Sequence, residues 1–431
     1  MSRVLIFHYH LNPGGVTRII ESQVKSLMLG SAYRDIIIVT GCCDTPRPFN
    51  APGTSLEVNE DLNYLSAEED PRKIYSRLQD FFSGLVQKDD ILHCHNLNLG
   101  KNPVVTAVIA ELAWKGHYVL NHAHDFAEDR PDNFAFMRET IERKLGKKLS
   151  PVLYPQLKNY LFATLNSFDQ QRLVHLGIEE ERITMLPNPI AGEAITVNNT
   201  IKDLKQKVCD QLHISANKLL VTYPVRVIRR KNIGEFILLA LLFESESHFL
   251  VTQPPRNPLE LVPYLGWKKF CIESSIPVVF EAGLKTDFEE LMRATDFCVT
   301  TSRQEGFGMA FMEPWLYGKP VIGRNIPEVT RDLESSGVNF PMLYDELKVM
   351  SRDAPVDFSS LGDDEQKVYI TDLQRNKNRK KQLTEMNPWL KTMFQQVRNE
   401  LIEENQTILL NEYSLENYAR RLESLYQKFA R

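Results

Sequence analysis

Two doubly wound α/β domains are predicted from three features of the chain. Short β-rich apolar runs alternate with helical patterns from the start, a proline-rich polar stretch interrupts the alternation once near the middle, and the alternation then resumes. Strands alternating with helices imply parallel sheets covered on both faces. At roughly 150 residues per domain, 431 residues leave room for two or three such units.

The elements follow in order. Val4 to His8 reads as a strand, Gly14-Gly15 as a turn, Val16 to Leu29 as a helix and Ile36 to Thr40 as the next strand. The rhythm continues through Ile91 to His95, a helix from Pro103 to Trp114, the strand Tyr118 to His124, and Leu161 to Asn166 followed by a helix ending near Gly177. Ile183 to Leu186 runs into Pro187-Asn188-Pro189, where two prolines forbid a regular element, and the chain stays polar through Asn198 and Asn199. The interdomain linker is placed there. Leu219 to Tyr223, Phe249 to Thr252, Val278 to Phe280, Phe297 to Thr301 and Val321 to Ile322 form the second series. From Ser335 to Gln406 the pattern loosens into a charged stretch containing Arg375 to Lys381, read as a solvated helical surface. An amphipathic helix from Ser414 to Phe429 closes the chain, with Ser414 as N-cap and Glu416 at the positive end of the helix dipole. The expected division is 1–190, 191–410 and 411–431, the last being a terminal helix.

Composition narrows the function. Hydrophobic residues at 43% and charged residues at 25% exclude collagen-like, mucin-like and fully disordered chains. Lys and Arg number 51 against 56 Asp and Glu, so no global basic field attracts nucleic acid or an anionic membrane. The longest apolar run, Phe236 to Phe243, falls short of the ~20 residues that span a bilayer. Val4 to Phe7 is too short for a signal-peptide core, and a cytoplasmic location is expected. Six cysteines without a C-x-x-C pair predict free thiols, several of them buried in strands.

Ligands of open parallel sheets bind beyond the carboxyl ends of strands, so chemistry is sought there. The segment Thr301-Ser302-Arg303-Gln304-Glu305-Gly306-Phe307-Gly308-Met309-Ala310-Phe311-Met312-Glu313 follows a strand. Gly306 and Gly308 allow backbone N–H groups close to a ligand, and a helix opening there would favour an anion such as a diphosphate. Glu305 is expected before that helix and Glu313 about two turns along it. Apolar Phe311, Met312, Pro314 and Trp315 surround Glu313, and a carboxylate in such company usually has a partner.

This segment, followed by Gly318-Lys319-Pro320-Val321-Ile322, resembles the E-x7-E region of the retaining glycosyltransferases of family 4, which have the GT-B fold of two Rossmann-like domains facing a central cleft. Pro224 to Ile233 is similar to the same family's Arg-x4-Lys stretch, Asn12 to Arg18 to its Gly-Gly turn and His122 to Asp125 to its His-Asp element. Leu165-Asn166-Ser167 and Met185 to Pro189 match further landmarks of the first domain, so the resemblance covers roughly residues 1 to 330.

The resemblance implies that Arg226 and Lys231 neutralise the donor diphosphate, that Glu313 binds ribose hydroxyls and Glu305 the transferred sugar, and that His124 reaches that sugar near its primary hydroxyl. It implies donor contacts from Gly14, Gly15, Gly306, Phe307 and Gly308. Fixed cations beside a departing diphosphate would stabilise the transition state. Arg229 and Arg230 fit a basic turn facing water better than Arg226 does. The stretch from Gly337 to Tyr344 and the long charged region depart from the family pattern. The terminal helix resembles the family helix that crosses back to the first domain.

Six of the ten histidines fall into three pairs, His8/His10, His93/His95 and His122/His124, near presumed strand ends. Residues i and i+2 share a strand face, so neighbouring strands would gather these imidazoles into one wall. Protonation near their reference pKa of ~6.5 would suit an anionic acceptor, and a transition-metal site is the sharper alternative. The chain contains no D-x-D tripeptide, and no metal is assigned.

The function expected is retaining, metal-independent transfer of a hexosyl group, glucose or mannose, from a UDP- or GDP-linked donor to the hydroxyl of a small acceptor. Arg18, His10, His95 and Lys101 favour an anionic acceptor. The alternatives are a nucleotide-sugar epimerase or hydrolase on the same fold, a His-x-His metal-dependent hydrolase, and a silent sugar-nucleotide binding module.

Overall fold

The computed structural model describes residues 3–30, 32–44, 49, 53–190, 192, 201–351 and 354–430, so the polar stretch around Asn198 and Asn199 lies outside the described residues. The chain divides into two compact units, Met1–Ala191 with Glu412–Arg431, and Gly192–Asn411.

The first unit is built on a seven-stranded sheet, β1 (Val4–His8), β2 (Ile36–Thr40), β3 (Thr54–Val58), β4 (Ile91–His95), β5 (Tyr118–Ala123), β6 (Tyr160–Thr164) and β7 (Ile183–Met185). The order is β3-β2-β1-β4-β5-β6-β7 and every pairing is parallel. Strands β1, β2, β4 and β6 are buried along their whole length, which is why β1, β2 and β6 read as largely apolar runs rather than alternating ones, while β4 buries His93 and His95 as well. Helices Pro71–Leu85 and Pro103–Trp114 cover one face, with Leu78, Phe82, Val105, Val108 and Ile109 in the core. Each of these two helices starts with proline just after an Asp or Asn N-cap, which satisfies a backbone donor that the first turn cannot.

On the other face Ile20, Val24 and Leu27 of helix Gly15–Gly30 meet Tyr418, Leu422, Leu425 and Tyr426 of helix Leu415–Gln427. Ser414 caps the latter, its hydroxyl accepting from the Asn417 N–H at 3.3 Å. The terminal helix therefore belongs to the core of the first unit rather than to its surface.

The second unit carries a six-stranded parallel sheet of β8 (Leu219–Arg226), β9 (Ser247–Gln253), β10 (Val278–Val279), β11 (Phe297–Thr300), β12 (Val321–Arg324) and β13 (Leu343–Tyr344), ordered β10-β9-β8-β11-β12-β13. An antiparallel hairpin of β14 (Lys348–Ser351) and β15 (Ala354–Asp357) follows. The stretch read as a solvated helical surface is more than that. The hairpin and helices Asp363–Arg375 and Lys377–Met386 place Leu347, Val349, Phe358, Tyr369, Ile370, Leu373 and Leu383 in the core with Phe236 and Trp267. Helix Asp363–Arg375 buries Gln366, Tyr369, Ile370 and Leu373 at helical spacing, but helix Lys377–Met386 buries Leu383 alone among many charges, so the stretch as a whole reads as more polar than its packing is.

All six cysteines are free thiols; Cys94 and Cys298 are buried in strands, Cys209 and Cys271 in helices. Among the described residues no helix is long and apolar enough to cross a membrane.

Leu422 is fully buried between the two helices of the first unit. Leu422→Ala is predicted to cost about 2–5 kcal/mol, read from urea unfolding; a loss under about 1 kcal/mol would mean that the terminal helix adds little to this core.

Candidate active site

In the second unit the central strand β11 ends at Thr300 and the chain turns through buried Thr301 and Ser302. Ser302 Oγ donates to Glu305 Oε1 at 2.6 Å, and the same oxygen accepts from Lys231 Nζ. Both side chains of this ion pair are more than nine-tenths buried. Burial pushes the Lys231 ammonium below the ordinary lysine value, while the Glu305 carboxylate pulls it back up. Lys231 and Glu305, expected to face different parts of the donor, are thus partners of one another.

The loop that carries Lys231 is held from several sides. Thr301 Oγ1 donates to the Lys231 carbonyl at 2.9 Å and the Tyr223 hydroxyl donates to it at 3.1 Å. Asn232 adopts φ 49°, a left-handed conformation that asparagine tolerates better than most residues. Its side-chain amide donates to Glu235 Oε2 at 2.9 Å. Glu235 is fully buried and receives Arg324 Nη2 at 2.6 Å and the Tyr344 hydroxyl at 2.7 Å, and Arg324 also donates to Asp357 at 2.8 Å. A side chain at Gly234 would collide with Gln366 and Trp267.

Sequence reasoning missed this support. A signal existed in Glu235, a carboxylate three residues into the apolar helix Ile233–Leu242, where it requires a buried counter-charge.

Arg226 ends β8 beyond an irregularity in the register and is half-buried, its Nε donating to Gln253 Oε1 at 3.0 Å. Arg229 is exposed and Arg230 half-buried. The helix expected to open after Glu305 and carry Glu313 about two turns along it does not form. A 3-10 turn at Met309–Phe311 is followed by a four-residue helix, Glu313–Leu316, which the half-buried Glu313 opens. Gly308 in the left-handed region (φ 88°) and Pro314 prevent one continuous helix, and so short a helix offers no useful dipole to a phosphate. Only glycine fits at 308, where a side chain would collide with Val329. A Cβ at Gly306 would meet open space, so the turn from Gly306 through half-buried Phe307 presents accessible backbone.

In the first unit Gly15 opens helix Gly15–Gly30 and is exposed, as is Arg18 one turn on; Thr17 Oγ1 donates to the Asn12 carbonyl at 2.7 Å. His10 Nε2 lies 3.2 Å from the Tyr64 hydroxyl, and the Lys101 ammonium sits 5.8 Å from the Tyr64 ring centre. His10 and Lys101 therefore converge on Tyr64.

Strands β1, β4 and β5 are neighbours, and they bring the histidines together inside the unit. His95 Nε2 lies 2.8 Å from Gln23 Oε1, and His95 Nδ1 lies 2.9 Å from His124 Nε2. Gln23 Nε2 is 2.8 Å from His93 Nδ1, His93 Nε2 is 3.2 Å from His122 Nδ1, and His122 Nε2 is 3.2 Å from the Leu186 carbonyl oxygen. His93, His95 and His122 are fully buried, and only His124 is half-buried. His95 is thus removed from direct contact with an acceptor.

The expected protonation near neutral pH is overturned as well. Burial, then mutual proximity, holds His93, His95 and His124 well below the ordinary histidine value, and burial lowers His8 and His122 to about 3. Among the described residues His93, His95 and His122 form one group in which one ring nitrogen from each lies within 4.8 Å of the other two, close enough to share a metal ion. Those nitrogens are already engaged in the hydrogen bonds just described.

No family model matches the chain. Over 353 residues it is 29% identical to a mannosylglucosyl-3-phosphoglycerate synthase of Petrotoga mobilis, covering 78% of this chain and 67% of that protein. Among solved structures, Anabaena HepE in complex with UDP and glucose superimposes with a TM-score of 0.63 at 16% identity, over 99% of this chain and 100% of that one. A sucrose-phosphate synthase from Thermosynechococcus elongatus gives 0.62 at 14% identity, over 100% and 99%. The chain is a glycosyltransferase of GT-B fold. In this fold the two parallel sheets described above are the two Rossmann-like domains.

The buried histidines give this glycosyltransferase a pH signature. An unfolded chain protonates them near pH ~6.5 whereas the folded chain resists, so the unfolded state binds more protons as pH falls below that value. Their contribution is complete above the unfolded value and is lost progressively toward about pH 3, where His8 and His122 titrate. Asp169, raised to about 6, and Glu235, also raised, act in the opposite sense but are outnumbered by these five histidines, and His10 and His248 are lowered as well. Unfolding free energy is predicted to fall between about pH 7 and about pH 5, by up to about 2 kcal/mol per histidine. A stability that stays flat over this range in urea titrations would show that the histidines are not held neutral.

Proposed function

We propose that the chain transfers a hexosyl group, with retention of configuration, from a nucleoside-diphosphate sugar to a hydroxyl of a small phosphate-bearing acceptor. The observation that carries this reading is the buried Lys231–Glu305 pair beside the Gly306–Phe307–Gly308 turn at the carboxyl end of β11. A lysine held on its loop by Thr301 and Tyr223 is a preorganised cation, and such a charge stabilises a leaving diphosphate without rearrangement during the reaction.

Arg226 supplies a second cation, and the two together meet the charge of a UDP or GDP leaving group without a divalent metal. Glu313 binds the ribose hydroxyls and the backbone at Gly306 and Gly308 the phosphate and sugar. Glu305, while it orients Lys231, offers its second oxygen to a sugar hydroxyl. In the first unit the Gly14-Gly15 turn meets donor phosphate and His124 contacts a hydroxyl of the transferred glucose or mannose.

The acceptor side rests on His10, Lys101 and exposed Arg18 of the first unit. Lys101 and Arg18 supply positive charge for a phosphate, and His10, held below the ordinary value by burial, serves as a neutral hydrogen-bonding group. A phosphorylated acceptor agrees with the name of the Petrotoga relative, a mannosylglucosyl-3-phosphoglycerate synthase.

Steady-state kinetics with nucleotide-sugar donors test the roles. Glu313→Ala is predicted to raise donor KM with a smaller effect on kcat, whereas Arg226→Ala and Lys231→Ala lower kcat by about ten-fold or more, as expected when a transition-state contact is lost. Wild-type kinetics in all three variants would overturn the assignment.

A further inference from the structure

The histidine contacts of the first unit form one connected path, and hydrogen-bond chemistry fixes its direction. A carbonyl oxygen only accepts, so the contact between His122 Nε2 and the Leu186 carbonyl requires that Nε2 carry the proton. A neutral imidazole has one donor and one acceptor, which leaves His122 Nδ1 to accept from His93 Nε2–H. His93 Nδ1 must then accept, and two donors face it, the Gln23 amide nitrogen at 2.8 Å and the Tyr426 hydroxyl at 2.7 Å. With its nitrogen turned to His93, Gln23 presents Oε1 to His95 and receives His95 Nε2–H at 2.8 Å. His95 Nδ1 in turn accepts His124 Nε2–H at 2.9 Å. Every step is forced once each ring is neutral: His93, His95 and His122 are buried among other imidazoles, and the half-buried His124 packs against the same rings, which hold its protonation well below the ordinary histidine range.

We propose that Gln23, His93, His95 and His122 are positioning residues that fix His124 in its Nε2–H tautomer, so that Nδ1 is an obligate acceptor for a substrate hydroxyl. Gln23 is the pivot, because its amide joins the two halves of the path, its nitrogen donating to His93 Nδ1 and its oxygen accepting from His95 Nε2–H. The His124–Asp125 backbone is held by the same framework, both N–H groups donating to Asn96 Oδ1 at 2.9 and 3.0 Å. A hydroxyl acceptor of fixed direction discriminates the orientation of a sugar hydroxyl, which a ring free to exchange tautomers does not. The role for His124 rests on the function proposed above; the tautomer assignment does not.

The test uses the full-length protein labelled with 15N at histidine, and long-range 15N–1H correlation at neutral pH, which separates the two neutral tautomers and the imidazolium. The expected result is a protonated Nε2 and a bare Nδ1 at His124, with His95, His93 and His122 in the same state. A protonated Nδ1 at His124, or averaged tautomers, overturns the proposal. So does zinc, added to metal-stripped protein, if it binds stoichiometrically and shifts His93, His95 and His122 together.

Gln23→Met removes both ends of the pivot at similar volume, and is expected to give averaged tautomers at His124 and a several-fold loss in kcat/KM. In a His124→Ala background the same substitution should change kcat/KM no further, because the chain acts through His124. An equal loss in both backgrounds would mark Gln23 as merely structural and overturn the positioning role. Should Gln23→Met not fold, the wild-type spectrum decides alone. A fixed Nε2–H tautomer with full activity in His124→Ala would refute the hydroxyl contact, and with it the positioning role, while the hydrogen-bond assignment stands.

Discussion

A charge taken out of water has to be matched, and the second unit is organised around one such match, Lys231 with Glu305. Desolvation of either ion alone would cost several kcal/mol, and the pair is sustained only with good geometry and additional hydrogen bonds. Ser302 supplies one of these to Glu305, and Thr301 and Tyr223 hold the carbonyl of Lys231. Behind that loop a second buried charge, Glu235, is matched by Arg324, which reaches out to Asp357 at the end of the hairpin. The chain from β14 to helix Asp363–Arg375 therefore does more than decorate the fold. It closes the back of the loop that presents Lys231 at the carboxyl end of the sheet.

The first unit meets a similar problem with neutral groups. Four fully buried imidazoles, those of His8, His93, His95 and His122, sit in a core where a charge would be costly, and three of them remain uncharged by donating to and accepting from one another, Gln23 and a backbone carbonyl. Satisfied networks of this kind are rigid, because losing any link leaves a buried polar atom without a partner. The two units thus share a logic: both place polar groups at the ends of central parallel strands and spend much of the surrounding sequence on holding them still.

The strands were legible because parallel strands buried on both faces are uniform apolar runs; Val4–His8, Ile36–Thr40 and Ile91–His95 begin and end where the pattern does. Strand β3 escaped notice because its residues Thr54–Val58 are mostly exposed and mixed in polarity. Gly308 and the order of the motifs were visible, but the helix expected between Glu305 and Glu313 does not form, since spacing alone does not reveal that Gly308 turns left-handed and Pro314 restarts the chain. His-x-His spacing correctly put the side chains on shared faces of adjacent strands. It could not say that those faces are interior, because His95 pairs with Gln23, 72 positions away in the chain, and Gln23 with Tyr426, 403 positions from it. The charged region misled for the same reason: its polar surface is local, while its apolar contacts are long-range.

The central claim is that the second unit is a preorganised site for a nucleoside diphosphate in which Lys231 carries the key charge. The most direct test is thermal unfolding of the wild type and of Lys231→Met with UDP, GDP and their glucose and mannose derivatives, with and without EDTA. A ligand that binds only the native state raises Tm by mass action. The account predicts an upward shift selective for one base, unaffected by EDTA and lost in Lys231→Met. No shift with any nucleotide, or a shift that EDTA abolishes, would contradict it.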